Sequence, residues 1–415
     1  MKKIIYLLIA SLVLTSFTDS NQLKNKNKNI NNKAMAPDST KQYGYNRDFL
    51  KKHAKIIELR NANSAITIVP SWQARVMTST AEGDQGFSFG WINRNLIASG
   101  KLGLHINPFG GEERLWLGPE GGQFSIFFSK GKSFVYDNWQ TPAFLDTMPF
   151  QLISSTDSSA LFGTDITTEN YSGTILKLRI ERELTLLSEK EIKKLIPKDL
   201  KSIKCVAYRS DNKLINQGEI KWEKKTGLLS IWMLGMFNPS PSVVIVLPVK
   251  HGEEQIIGPK VNDNYFGKIS GDRLKVSGDH IFFKADGKSR GKIGIPPLRA
   301  TGIMGSYDSD NRILTLLICR MPDGKKDYVN SSWQIQDNPF SGDALNSYND
   351  GPLADGSQMG PFYELETSSP AADLKPGESL SHIQYTLHLT GDPQELDKTA
   401  RKVLGVSLEE ITDAF

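Results

Sequence analysis

The densest group of residues able to do chemistry lies in HINPFGGEERLWLGPEGG, residues 105–122. It holds His105, Glu112, Glu113, Arg114, Trp116 and Glu120, with glycine pairs at 110–111 and 121–122. Glycine pairs admit backbone dihedrals closed to other residues, so the stretch can fold into a concave polar floor. Carboxylates and a guanidinium give directed hydrogen bonds to hydroxyl groups, and an indole gives a flat apolar surface to the C–H face of a sugar. The same residues could instead form a turn tied by Arg114 ion pairs, with Trp116 in the core. Upstream, GDQGFSFGWINRNLI (83–97) adds Asn93 and Arg94 as candidate ligand contacts.

Late in the chain, GPFYELETSSP (360–370) places Glu364 and Glu366 two residues apart. In a strand this spacing puts both carboxylates on one side. Two carboxylates in one cavity can separate their pKa values and divide acid and base work; on an exposed face, or beside an arginine, they are structural. His382 and His388 share strand parity but would stand about 20 Å apart at ~3.3 Å per residue, too far to chelate one metal. His105 has the richest surroundings of the histidines and is the candidate acid, with Glu364 and Glu366 as candidate bases.

Several chemistries lack their signatures. There is no HExxH or HxH metal pattern, no GxSxG nucleophile elbow, and no GxGxxG between a strand and a helix. DSDN (308–311) and VNDNYFGKI (261–269) carry oxygen ligands suited to calcium; Asp/Asn turn chemistry accounts for them more simply, and calcium stays an allowed partner with no residue assigned to it. No organic cofactor is expected. Cys205 and Cys319, the two cysteines, each sit in an apolar stretch and read as small buried hydrophobes, although an exporting cell would permit a disulfide between them.

Strands must position these residues. Branched and aromatic runs with period two recur at 65–70, 74–80, 122–128, 174–188, 202–210, 228–237, 242–249, 279–287, 312–321 and 380–391. Helix is expected only at Asp48–Leu59, Glu189–Ile196 (stopped by Pro197) and Pro393–Val403. Without βα alternation the fold is all-β, a large antiparallel sandwich with a few short helices. Residues 341–360 are long, turn-rich and expected to be a loop bordering a functional surface.

The charges locate the protein. Residues 1–40 carry six lysines and two acids, which leaves 44 basic and 44 acidic side chains in 41–415. The neutral body has no basic face of the kind that binds nucleic acid by displacing counterions. MKKIIYLLIASLVLTSFTDS has the charge and apolar order of a secretory signal, too short to span a bilayer. The expected organisation is a signal over 1–20, a flexible Asn/Lys-rich linker over 21–40 and one β-sandwich domain over 41–415. The product would be periplasmic or extracellular, with no stable transmembrane segment once the signal is cleaved.

NRNLIASG, INPFGGEERLWLGPEGGQFSIFF, GLLSIWMLGMFNPSPSVVIVLP, VNDNYFGKI and FYELETSSPAADLKPGESLSHIQYTLHLTG together resemble a family of exported bacterial proteins related to the galactose mutarotase, or aldose 1-epimerase, superfamily. The similarity covers most of 45–405. It implies a galactose mutarotase-like β-supersandwich with a concavity facing a carbohydrate ligand. It further implies anomer interconversion, with histidine as general acid and glutamate as general base. Glu364 or Glu366 is the positional match for the base, His105 for the acid, and Asn93–Arg94 for an early Asn-Arg ligand pair. The superfamily's His-Gly-Gly element and second central histidine are absent: Phe109 precedes Gly110 and Gly111 and cannot titrate. A carbohydrate-binding protein without turnover, or a glycan lyase or hydrolase, are the alternatives.

Overall fold

Period-two patterning becomes an extensive ladder system in a computed structural model that describes residues 38–196, 202–324 and 326–415. The expected leader (1–20), residues 21–37 of the linker and the helix-stopping Pro197 lie outside the described residues. In chain order the first strands are β1 (Ile57–Asn61), β2 (Ser64–Val69), β3 (Arg75–Thr80), β4 (Arg114–Gly118), β5 (Gln151–Ser155) and β6 (Ser159–Glu169). There follow β7 (Ile175–Leu186), β8 (Ile203–Asn216), β9 (Ser230–Phe237), β10 (Val243–Pro248), β11 (Leu274–Ser277) and β12 (His280–Lys284). The last six are β13 (Gly291–Ile295), β14 (Ile303–Asp308), β15 (Ile313–Cys319), β16 (Leu345–Asn349), β17 (Tyr363–Ser368) and β18 (Ser379–Gly391).

All strand pairs are antiparallel, as hairpins and meanders require. They form a ten-stranded sheet ordered β11-β12-β10-β14-β15-β18-β8-β7-β6-β5, a five-stranded sheet ordered β13-β16-β17-β9-β4, and a three-stranded sheet β1-β2-β3. Inward side chains of the two larger sheets meet: Thr367 of β17 bonds His382 and Gln384 of β18, and Tyr363 bonds Ser306 of β14. The fold is therefore a large antiparallel β-supersandwich. Leu365, Leu317, Ile245 and Met304 are fully or almost fully buried between these sheets, each contributing ~2 kcal/mol by leaving water.

A polar layer also lies inside. Glu113 and Arg182 pair at 2.8 Å with both side chains wholly buried, and Ser210 and Gln384 complete the shell around the carboxylate. Burial pushes Glu113 up, while Arg182, Ser210 and Gln384 pull it down.

Helices are few. α1 (Tyr43–His53), α2 (Arg94–Ser99) and α3 (Ala143–Asp146) precede α4 (Glu189–Leu195), which opens with a Ser188/Glu191 capping box. α5 (Glu254–Ile257), α6 (Pro393–Val403) and α7 (Leu408–Thr412) complete the set, α6 starting on an Asp392 cap with proline at its first position. Among the described residues no helix is long and apolar enough to cross a membrane. Residues Ser39–Phe415 form one unit.

Three expected elements differ from the observed ones. The first helix covers Tyr43–His53 rather than Asp48–Leu59, because Ile57 onward joins the β1 ladder. Residues 122–128 make no ladder: Phe127 and Phe128 are buried, but in a looping segment whose Ser125 hydroxyl satisfies the Phe127 N–H. Residues 341–360 are not loop throughout, since β16 lies there with Asn346, Ser347 and Asn349 buried and hydrogen-bonded. Cys205 and Cys319 are both free. They sit on β8 and β15 with β18 between, Cys205 opposite Leu389 and Cys319 opposite Gln384, so they are offset along the sheet as well.

Candidate functional site

The outer face of the five-stranded sheet gathers the charged residues. Register places Lys292, Tyr348, Glu364 and Met236 in one cross-strand row, and Gly294, Asn346, Glu366, Leu234 and Arg114 in the next. Trp232 and Trp116 face each other in the row beyond. Alternation along each strand then brings Lys292, Glu364, Glu366, Arg114, Trp116 and Trp232 to one face, opposite the one that carries Leu365 and Thr367 into the sandwich.

The ion pairs cross between rows. Arg114 Nη2 donates to Glu364 Oε1 at 2.6 Å, with both side chains buried. Lys292 Nζ donates to both oxygens of Glu366, at 3.1 and 2.9 Å, and Trp232 Nε1 donates to Oε2 at 2.8 Å. Lys292 also lies 4.7 Å from the centre of the Trp232 ring and 5.6 Å from that of Tyr265, and Arg114 lies 4.5 Å from that of Trp116. These contacts offset the cost of taking four charges out of water, for which a bare pair often fails to compensate. Trp116 and Trp232 meet edge to face at 5.6 Å.

The two glutamates end up different. Glu366 is wholly buried and has donors on both oxygens. Glu364 has one oxygen on Arg114, and its Oε2 has no partner among the described residues. Burial raises the Glu364 carboxyl to about 7; Arg114 and Lys292 oppose that rise and the neighbouring Glu366 adds to it. Trp116 Nε1, Arg114 Nε and Trp139 Nε1 are buried donors without an acceptor among the described residues.

Half-buried Glu120, Lys292, Tyr265 and Trp333 are the more accessible members of this cluster. Glu120 follows β4 by two residues, and burial raises its carboxyl. Lys292 lowers it, Glu366 raises it, and the nearby indoles of Trp333 and Trp139 lower it, although the Trp139 N–H reaches no acceptor at hydrogen-bond distance. The Tyr265 phenol donates a hydrogen bond to Asp343 Oδ2 at 2.6 Å. Two surface depressions, of about 360 Å³ beside α7 and about 340 Å³ beside α4, include none of these residues.

Of the candidates from sequence, Arg114, Trp116, Glu120, Glu364 and Glu366 come together. Glu113 does not: one residue before Arg114, it has opposite parity and is enclosed between the sheets with Arg182. Glu112 is equally buried, 3.6 Å from His388 Nε2, so neither carboxylate faces the recess. Asn93 caps α2 by accepting from the Leu96 N–H, and Arg94 donates to Asn46 of α1. Both side chains are engaged in local structure, and neither bonds a member of the carboxylate–indole group. His105 is half-buried beside the recess, with Nδ1 2.7 Å from the Trp139 carbonyl and its ring against Tyr136. It bonds neither late glutamate.

Sequence reasoning missed Lys292, Trp232, Trp139, Trp333 and Tyr265. Lys292 lies in the short GKIGI strand, where one lysine between apolar neighbours was the only signal; Trp232 lies in the run 228–237, which reads only as a strand. No group of three or more His, Cys, Asp or Glu side chains among the described residues is arranged to hold a metal. In DSDN the Asp308 carboxylate accepts from Ser240, Ser242 and Asn311, and in VNDN Asp263 pairs with Lys268.

The fold is an all-β supersandwich, with a cluster of carboxylates and indoles on the outer face of its five-stranded sheet as the candidate site. Residues 41–415 match a family of unknown function, DUF6786, and the chain belongs to that family. No curated protein matches the chain. Among solved structures it is similar to the Slr1438 protein of Synechocystis sp. PCC 6803, with 12% identity, 82% of this chain and 96% of that one covered, and a TM-score of 0.48. A galactose mutarotase-like protein from Lactobacillus casei ATCC 334 has 10% identity, with 80% and 100% covered and a TM-score of 0.48. A galactose mutarotase related enzyme from Lactobacillus acidophilus has 10% identity, with 81% and 97% covered and a TM-score of 0.44.

Proposed function

We propose that the protein is an exported, carbohydrate-active protein whose recess binds a free sugar and interconverts its anomers. The observation that carries this is the meeting of Glu364, Glu366, Arg114 and Lys292 with Trp116 and Trp232 on one sheet face. Buried N–H donors without acceptors suit hydroxyl and ring oxygens, since an unmatched buried donor costs about 1–3 kcal/mol until one arrives. Glu364 is the base: its free Oε2 takes the proton of the anomeric hydroxyl, and a carboxyl near neutrality is matched to that task. Arg114 holds the carboxylate in place.

The experiment is anomer-resolved NMR of freshly dissolved aldoses with and without the protein. Accelerated equilibration is expected, with Glu364→Gln losing roughly 10²–10⁴-fold. A second reading, sugar binding without turnover, is favoured by one feature: each late glutamate already has a cationic partner. Binding without acceleration would select it. Export, a linker over 21–40 and a single domain over 41–415 belong to the same proposal and rest on the leader sequence.

A further inference from the structure

We propose that Lys292 is the general acid of this site, delivering a proton to the sugar's ring oxygen while Glu364 withdraws one from the anomeric hydroxyl. The inference rests on the anomer-interconversion proposal and extends it to a residue that no sequence pattern marks.

Ring opening needs an acid. Breaking the C1–O5 bond leaves its electron pair on O5, and without a proton the product is an alkoxide in a recess walled by carboxylates. Besides the Glu120 carboxyl, whose hold on a proton burial strengthens, few groups here can part with a proton. A guanidinium does not give up a proton inside a protein, and that of Arg114 is bound to Glu364. The Tyr265 phenol is spent on Asp343. His105 is turned to the Trp139 carbonyl and Tyr136, and His382 and His388 lie inside the sandwich bonded to Thr367 and Thr315.

Lys292 meets the geometric requirement. Its ammonium is anchored at 2.9 and 3.1 Å on the two oxygens of Glu366, which leaves the third proton for a ligand. Its side chain keeps 13% exposure, whereas Glu366 beneath it has none. The rings of Trp232 and Tyr265 flank it. Register sets Lys292 in the same row as Glu364, with Tyr348 between, so acid and base approach a sugar from two sides. Glu366 is then a positioning residue, orienting the lysine rather than touching the reacting atoms.

The step balances. Glu364 takes the proton from the hydroxyl on C1, the O–H electron pair forms the C1=O bond, the C1–O5 bond breaks, and O5 takes a proton from Lys292. After rotation about C1–C2, O5 attacks the other face of the carbonyl carbon. Its proton returns to the Lys292 amine, and Glu364 returns its own to the new hydroxyl. No oxidant, reductant or metal is needed.

Lys292→Arg separates proton donation from charge, because arginine keeps the ion pair with Glu366 but has no proton to give. Rates of α-D-glucose and α-D-galactose equilibration by NMR, and affinities by titration calorimetry, are compared for the wild type, Lys292→Arg and Lys292→Met. Folding of each is checked by circular dichroism. The expected result is a loss of roughly 10²–10⁴-fold in rate for both variants, with affinity for Lys292→Arg within about tenfold of wild type. Should Lys292→Met fail to fold, Lys292→Arg alone carries the test. An active wild type with an equally active Lys292→Arg overturns the role of Lys292 and leaves the proposed function standing. A wild type that accelerates neither sugar overturns both.

Discussion

Glu364 and Glu366 share a strand and a face, yet donors saturate one and leave an oxygen of the other open. That difference sets a pH dependence. A base must be ionised to act, so catalysis by Glu364 is expected to rise with pH through about 7, and the NMR rate measured from pH 5 to 9 checks it. Glu364→Gln should remove the rise along with the rate. His382 gives an opposite, structural signature. Burial lowers it to about 4 from an ordinary 6.5, so the unfolded chain binds its proton more readily than the folded one. Its contribution is intact above pH 6.5 and declines as pH falls toward 4, by about 3 kcal/mol in total. Urea denaturation at pH 7 and pH 4.5 should show a smaller acid-side loss for His382→Gln than for wild type. The sequence made the late glutamate pair legible because strand parity needs only a spacing of two. Lys292 stayed hidden because its importance comes from a partner 74 positions away in the chain.

At the scale of elements, one residue of parity decides between site and core. Arg114 and Trp116 of β4 face outward, and Glu113 goes between the sheets to Arg182. Removing one member of so buried a pair strands the other charge. Arg182→Met is expected to cost about 3–5 kcal/mol, and Arg182→Met with Glu113→Gln less than the sum of the two single changes. Equilibrium unfolding in urea of the four proteins closes that cycle. Strands with branched or aromatic residues, such as β7, β9 and β18, were legible from pattern alone. β16 was not, because LNSYN has turn-like composition and is held as a strand by neighbours on both sides, β13 and β17. The Pro393–Val403 helix was readable from its Asp-Pro start, which is local chemistry.

Across the whole molecule, the sheet that carries the candidate site is backed by the ten-stranded sheet, and Glu120, Tyr265 and Trp333 come to it from other segments. These segments come from three distant parts of the chain, so composition could indicate a sugar-facing surface without indicating which loops meet over it. The proposed export adds a prediction at this scale. Mass spectrometry of the protein recovered from the producing cell's periplasm or medium should give an N-terminus near residue 20, and an intact Met1 would count against secretion.

The recess concentrates an optical property. Of seven tryptophans in the chain, Trp116, Trp139, Trp232 and Trp333 stand in or around it, and Trp232 donates to Glu366. Indole emission responds to changes in neighbouring charge and hydration, so an occupant entering here would alter the protein's own fluorescence. Ligands of every class could thus be screened in dilute solution without a label or a coupled assay.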